Sequence, residues 1–244
     1  MGMRSRSSLT IAVFVFLASL SAGAPGVAAA DSDQHFAYHR PLTGAQSVML
    51  KVTGDLGAEI QVMSTASSSI DVKALARGSL ASGVELNAHQ TAQGIQLSFD
   101  FKSGTLQRWF HAHDTQLKVT LRVPQATTLT VSAVDGSITV ADVTGPLSVD
   151  LVNGPITVKG AGDVVSLNCV NGPIDVGITD VSKIPDVSLN VTNGEIDISV
   201  PRNFRATVTA HVVMGSVDDN LANTPGQGKL VANAVTGAIT INQR

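Results

Sequence analysis

The chain has 244 residues, a formal net charge of −3 and a single cysteine, so an intramolecular disulfide is excluded. Residues 31–122 carry eight basic and eight acidic side chains, whereas residues 123–244 carry six basic and eleven acidic ones, a net charge of −5. This acidic second half argues against nucleic acid or an anionic membrane surface as its partner.

Residues 1–30 have the features of a cleaved signal peptide. Arg4 and Arg6 precede an apolar run over residues 9–20, and Ala28-Ala29-Ala30 offers a small-residue cleavage site before Asp31. The run is shorter than the roughly 20 residues that span a bilayer, and no cysteine follows it that could carry a lipid anchor. We expect an exported protein, in the periplasm or outside the cell, without a transmembrane or lipid anchor.

Residues 31–123 are predicted to form an N-terminal β cap region. Six segments are strand candidates because apolar and polar residues alternate in them. They are Ser47–Val52, Ala58–Met63, Ser69–Ala74, Val84–His89, Gly94–Phe101 and Gln116–Val123. Residues 84–101 are predicted to form a hairpin closed by a polar turn around residues 90–93. A cap of this kind would cover the open edge of the repeats that follow.

Residues 124–244 contain six copies of one pattern, in which alternating apolar residues lead to a turn ending in glycine and then to a second apolar strand. The glycines, 18 to 22 residues apart, are Gly136, Gly154, Gly172, Gly194, Gly215 and Gly237. Repetition at a nearly fixed period is typical of stacked coils. We therefore predict an all-β fold: a right-handed β-solenoid, or two-sheet β-roll, of about six coils under the N-terminal cap.

Equivalent positions of the six copies form columns. Two apolar columns, expected in the core, are Ala133, Leu151, Cys169, Val191, Val212 and Ala234, and Ile138, Ile156, Ile174, Ile196, Val217 and Ile239. Two polar columns, expected to face outward and to hydrogen-bond along the stack, are Ser132, Asp150, Asn168, Asn190, His211 and Asn233, and Thr139, Thr157, Asp175, Asp197, Asp218 and Thr240. Cys169 is therefore interpreted as a buried hydrophobic residue and not as a reactive thiol.

The turns favour a reversal or a corner of the chain, because Asn or Asp precedes Gly at four of them. These pairs, such as Asn153-Gly154 and Asn171-Gly172, tolerate positive φ. They are compatible with a corner between two sheets, which the fixed period favours, or with a hairpin. In the fifth copy Asp219 stands where the other copies have Val or Ile, so that strand ends early or that coil is distorted.

The chain resembles the bacterial putative-adhesin family of domains of unknown function. The resemblance rests on the signal peptide, on the strand Leu117–Pro124 that ends in Val-Pro, and on the Gly-x-Ile-x-Val segments, for example Val134–Val140 and Val152–Val158. It covers nearly all of the mature chain. It implies the architecture and an adhesin-like role, and it supplies no catalytic residue.

Two sets of residues are candidates for binding. Arg108, Trp109, Phe110 and His111 combine the single tryptophan with a cation, a composition found in interface anchors; the alternative is that both aromatic residues fill the core. Asp175, Asp197 and Asp218 are expected on successive coils, where they could recruit a divalent cation; a solvated acidic face is the favoured alternative. The pair His111 and His113 is interpreted as part of a polar loop in preference to a metal site.

Two classes of function follow. The first is an exported, non-catalytic envelope or surface protein that acts as an adhesin-like scaffold and binds a protein or a glycan. The second is a carbohydrate-active β-helix enzyme, a polysaccharide lyase or hydrolase, for which Arg202, Arg205 and Asp197 could imitate a site. Phe204 is the sole aromatic residue of the second half, and sugar-binding clefts need paired acids and stacking aromatics. We therefore favour the non-catalytic class, and we expect no cofactor.

Overall fold

A computed structural model describes residues 33–42, 46–54, 56–78, 81–91, 93–101, 115–162, 165–179, 186–221 and 228–244. The described part contains sixteen strands and one short 3₁₀ turn, Ala81–Gly83. The strands are β1 (Gln34–Pro41), β2 (Ser47–Val52), β3 (Gly57–Thr65), β4 (Ser69–Arg77), β5 (Val84–Gln90), β6 (Gly94–Phe101), β7 (Gln116–Pro124), β8 (Thr128–Ala141), β9 (Leu147–Asn153), β10 (Ile156–Ala161), β11 (Val165–Asn171), β12 (Ile174–Ile178), β13 (Asp186–Asn193), β14 (Ile196–Val200), β15 (Ala206–Asp219) and β16 (Gly228–Gln243). The expected all-β class is correct.

Eight of these strands close into a parallel β-barrel, and the other strands lie outside the ring. The order around the ring is β8-β10-β12-β14-β16-β13-β11-β9, with β9 paired again to β8. The closure depends on the two long strands, because β8 pairs with both β9 and β10 and β16 pairs with both β13 and β14.

The predicted right-handed β-solenoid, or two-sheet β-roll, is therefore wrong. That prediction assumed that every turn glycine separates two strands that belong to two different sheets. At Gly136 and Gly237 the chain instead continues as one strand, and positive φ angles of 131° and 142° let it bend there. The first half of β8 thus pairs with β9 and its second half with β10, and β16 pairs in the same way with β13 and β14. These two strands close the ring.

The strand register confirms that the predicted columns stack, but the fifth copy is not buried as expected. Val217 is 41% exposed and Val212 is half-buried, because among the described strands β15 pairs with β16 alone. Cys169 lies opposite Leu151 on one side and Val191 on the other, and all three side chains are buried. Their buried faces belong to one hydrophobic core that extends through the described chain. A fully buried aliphatic side chain typically contributes about 1.5–3 kcal/mol, so these columns are a major source of stability.

The last two copies stack in reverse order. Val187 of β13 pairs with Leu230 of β16, and Leu230 in turn pairs with Val208 of β15. The sixth copy therefore lies between the fourth and the fifth. Strand β15 ends at Asp219, which lies opposite Ile241, whereas β16 continues to Gln243. Of the two predicted alternatives, the early strand end is therefore the one that agrees with the structure.

At the glycine turns that separate two strands, the chain forms a corner and not a hairpin. The corner is the alternative that the fixed period of the sequence favoured. Strands β9 and β10 flank Asn153-Gly154, yet β9 pairs with β8 and β11 whereas β10 pairs with β8 and β12. The corners also bond to one another along the stack: the Gly154 amide donates to the Asn171 carbonyl oxygen at 2.8 Å. This places equivalent side chains of successive copies directly above each other.

The six strands predicted in the N-terminal region are confirmed, and residues 84–101 form the predicted antiparallel hairpin. Strand β1 was not predicted; it pairs antiparallel with β4. Strands β2 and β3 pair in parallel with the first and second parts of β8, so they continue the same stack. In the described chain, no helix has the length and apolar character required to cross a membrane.

Candidate functional site

An outer groove of about 740 Å³ crosses seven neighbouring strands. In spatial order these are β2, β8, β9, β11, β13, β16 and β15. Six steps of about 4.8 Å between strands give the groove a length of roughly 29 Å. Because it runs across the strands, side chains and not backbone groups form its surface.

The floor of the groove is a column of five valines and one threonine that are exposed or half-buried, here called the valine column. It consists of Val134, Val152, Val170, Thr192, Val235 and Val213. Each follows a residue of the core column, which is buried in five copies and half-buried at Val212, so the alternation of the strand turns it outward. Val152, Val170 and Val235 are 39%, 42% and 45% exposed. A contiguous apolar surface of this kind on a folded protein typically marks a binding site.

One wall of the groove is an asparagine ladder, formed by Asp150, Asn168, Asn190 and Asn233. The Asn168 amide donates to the Asp150 carboxylate at 2.7 Å, Asn190 donates to Asn168 at 2.9 Å, and Asn233 donates to Asn190 at 3.0 Å. The predicted hydrogen bonding along this polar column is confirmed. These amides already have partners, so the wall is held in a fixed geometry.

A second ladder, at the corners of the chain, runs beside the valine column. The Asn153 amide donates to Asp135 at 2.7 Å, Asn171 donates to Asn153 at 2.9 Å, and Asn193 donates to Asn171 at 2.9 Å. These corner residues follow directly after Val134, Val152, Val170 and Thr192 in the sequence, but they are not among the residues that line the groove.

The β2 end of the groove is polar. Lys51 of β2 lies opposite Ser132 of β8, which in turn lies opposite Asp150, the first residue of the asparagine ladder. Next to Lys51, the Asp100 carboxylate accepts hydrogen bonds from Ser98 at 2.7 Å, Thr53 at 2.8 Å and Asn87 at 3.0 Å. Burial raises the pKa of Asp100, but these hydrogen bonds and the Lys51 charge outweigh it and hold that pKa below its usual value.

Cys169 lies behind the floor of the groove. Its side chain is buried, and its thiol donates to the Gly154 carbonyl oxygen at 3.3 Å. Burial raises the pKa of the thiol, which the backbone of Asn171 lowers in part. A raised pKa keeps the sulfur in the unreactive thiol form, in agreement with its interpretation as a core residue.

The acidic column is only partly contiguous. Asp175 and Asp197 are neighbours, whereas Thr240 lies between Asp197 and Asp218 because the last two copies stack in reverse order. Within the described ranges, no three His, Cys, Asp or Glu side chains form a group that could hold a metal ion. The cation site at Asp175, Asp197 and Asp218 stays a prediction.

The predicted interaction segment Arg108, Trp109, Phe110 and His111 lies outside the described residues, as does His113. The arginines of the lyase-like arrangement are described. Arg205 donates to the carbonyl oxygens of Arg202 and Phe204 at 3.3 and 3.0 Å. Its guanidinium group therefore serves to hold a turn.

The valine column was missed at the level of sequence, although its signal was there. Val134, Val152, Val170 and Val235 occupy one position of the repeat, between an outward polar residue and the turn. An aliphatic residue repeated at a position that faces solvent is the pattern that would have predicted the groove.

No family model and no curated protein matches the sequence. A solved structure of a putative cell adhesion protein from Clostridium sporogenes shares the fold, with a TM-score of 0.52 at 14% identity over 87% of this chain and 100% of that one. A putative adhesin from Bacteroides fragilis matches with a TM-score of 0.31 at 13% identity over 87% of this chain and 99% of its own. A putative lipid binding protein from Parabacteroides distasonis matches with a TM-score of 0.35 at 11% identity over 84% and 96%.

These matches confirm that the structural neighbours of the chain include proteins named putative adhesins. At such identities the likeness to the Clostridium sporogenes protein establishes the fold alone. The signal peptide stays a prediction.

Proposed function

We propose that this protein is exported and acts without catalysis as an adhesin-like envelope or surface protein that binds its partner in the outer groove. The observation that carries the proposal is the valine column, an exposed and mainly aliphatic strip beside a ladder of amides that bond to each other. A water-exposed apolar strip is costly to maintain and is typical of an interaction surface.

The enzyme alternative draws no support from the residues suggested for it. Arg205 donates to backbone carbonyl oxygens, and Asp197 is an exposed residue of the acidic column. Among the described residues, the groove is lined by Val, Leu, Asn, Ser, Thr and small residues, with Lys51, Asp150, His211 and the buried Cys169 thiol as its titratable groups. Asp150 already accepts a hydrogen bond from Asn168. This lining suits binding better than acid–base chemistry.

Export is tested by fractionation of cells that produce the full chain, followed by N-terminal sequencing. The proposal predicts a protein that begins at Asp31, in the periplasm or the medium. A cytoplasmic protein that retains residues 1–30 would contradict export.

Binding is tested with beads coated with residues 31–244 and incubated with isolated bacterial envelopes. The variant Val170→Asp places a charge on the groove floor and should reduce retention at least tenfold, since it interrupts the apolar contact. Val217→Asp is the matched control, because Val217 is a valine of nearly the same exposure, 41% against 42%, that does not line the groove. Equal retention of wild type and Val170→Asp would refute the groove as the binding surface.

A further inference from the structure

We propose that the outer groove binds one long-chain fatty acid, with its alkyl chain along the valine column and its carboxylate at Lys51. The proposal rests on the assignment of the groove as the binding surface, and it names the chemistry of the ligand.

The direction of the groove argues against a peptide strand as the occupant. Extended peptides bind proteins by adding a strand to a sheet edge through backbone hydrogen bonds. Along the groove, the backbone groups of β8, β9, β11 and β13 pair with neighbouring strands of the sheet. A peptide laid across these strands would leave its own polar backbone against an aliphatic floor, which is unfavourable.

The chemistry of the walls argues against a glycan. Sugar hydroxyls need several hydrogen-bond partners, but one of the two N–H groups of each amide of Asn168, Asn190 and Asn233 already donates along the ladder, and the valines beside them offer none. No aromatic side chain is among the groove-lining residues that the structure describes. An alkyl chain needs neither kind of contact, and it gains from contact with stacked valines.

The dimensions and the charge of the groove fit a fatty acid. A volume of about 740 Å³ lies within the range of about 300–1,000 Å³ typical of small-molecule sites. Of the described residues, Lys51 is the one Lys or Arg that lines the groove, and it lies at the β2 end. Asp100 takes its three hydrogen bonds from other side chains, and Lys51 acts on it as a nearby charge without forming an ion pair within 4 Å to any described residue. The Lys51 ammonium is thus placed to meet a carboxylate, with the neighbouring Ser132 hydroxyl as a second donor.

The proposal is tested by isothermal titration calorimetry of residues 31–244 with saturated fatty acids of 8 to 16 carbons, each below its critical micelle concentration. We expect the dissociation constant to fall with chain length by up to about fourfold per methylene. Val170→Asp should abolish binding, whereas the matched control Val217→Asp should not change it. Affinity that does not depend on chain length would overturn the proposal.

The position of the carboxylate is tested with Lys51→Met. This variant should weaken binding of the fatty acid by up to about fivefold and leave binding of the primary alcohol of equal length unchanged. An equal loss for both ligands would overturn the assignment of Lys51.

Two further outcomes separate this inference from the proposed function. Retention of beads on envelopes that depends on Val170, together with no binding of fatty acids, would refute the fatty acid and leave the binding surface intact. Binding to phosphatidylcholine vesicles without binding of free fatty acid would likewise contradict the proposal and point to a membrane surface as the occupant.

Discussion

Aspartate in place of Cys169 would be a severe test of the stacked register. Cys169 is 3% exposed and lies between Leu151 and Val191, and its thiol faces the Gly154 carbonyl oxygen at 3.3 Å. An aspartate there must either carry a charge in an apolar core, beside a carbonyl oxygen, or remain protonated. Burial of this kind raises a carboxyl pKa by about 3 units.

The magnitude follows from the linkage between pKa and stability. A rise of about 3 units corresponds to roughly 4 kcal/mol lost at a pH above both pKa values, which is much of the 5–15 kcal/mol available to a typical domain. Because the folded pKa is raised, this loss is absent below about pH 4 and grows as the pH rises through the folded value. Cys169→Val introduces the residue that the next copy has at the equivalent position, Val191. It should lower the free energy of unfolding by less than about 1.5 kcal/mol.

The assay is urea unfolding followed by circular dichroism at pH 4 and pH 8. We expect Cys169→Asp to be far less stable than Cys169→Val at pH 8 and to recover much of the difference at pH 4. Equal stability of the two variants at pH 8 would show that residue 169 does not lie between apolar neighbours.

Two other predictions concern the corners and the polar end of the groove. Gly172→Ala should lower the stability by about 1–3 kcal/mol or more, since φ is +146° and the added Cβ would overlap the Gly154 carbonyl oxygen. The control is Gly57→Ala, where the added Cβ meets open space. Equal melting temperatures of the two variants would contradict the corner geometry. The lowered pKa of Asp100 means that its carboxylate stabilises the fold above about pH 4, and that this contribution is lost as the pH falls through the folded value. Asp100→Asn should therefore be less stable than wild type at pH 7, and the two unfolding curves should converge in acid; a difference that stays constant with pH would refute this assignment.

Much of the fold could be predicted from the sequence, because alternation and repetition are local signals. The strands and the stacked columns follow directly from them, as the pairs formed by Cys169 illustrate. Closure of the ring was not predicted, since the strand corners and the continuous strands both carry a glycine. A partial difference was present one residue later. Pro155 and Pro173 follow two of the three glycines at which the strand breaks, although Glu195 follows the third, whereas Ser137 follows Gly136, where the strand continues. Proline lacks the amide that a ladder requires, so it favours the break.

The reversed order of the last two copies has no such local signal. Val212 and Ala234 are both small apolar residues, so either copy could stack on Val191 without a change in the pattern. The site was harder still to predict. Its aliphatic column is visible in the sequence, but the groove exists only when seven strands are placed side by side.

The strand order that builds the groove can be measured directly with engineered disulfides in a Cys169→Ala background. Asn190 lies opposite Asn233, and Asn233 lies opposite His211. Strand spacing of about 4.8 Å suits a disulfide, which needs Cα atoms about 4.4–6.8 Å apart. We predict that Asn190→Cys with Asn233→Cys loses both free thiols on mild oxidation, by maleimide labelling and intact mass, whereas Asn190→Cys with His211→Cys keeps them. Cross-linking of the second pair and not of the first would show that the copies stack in sequence order, and would contradict the groove described above.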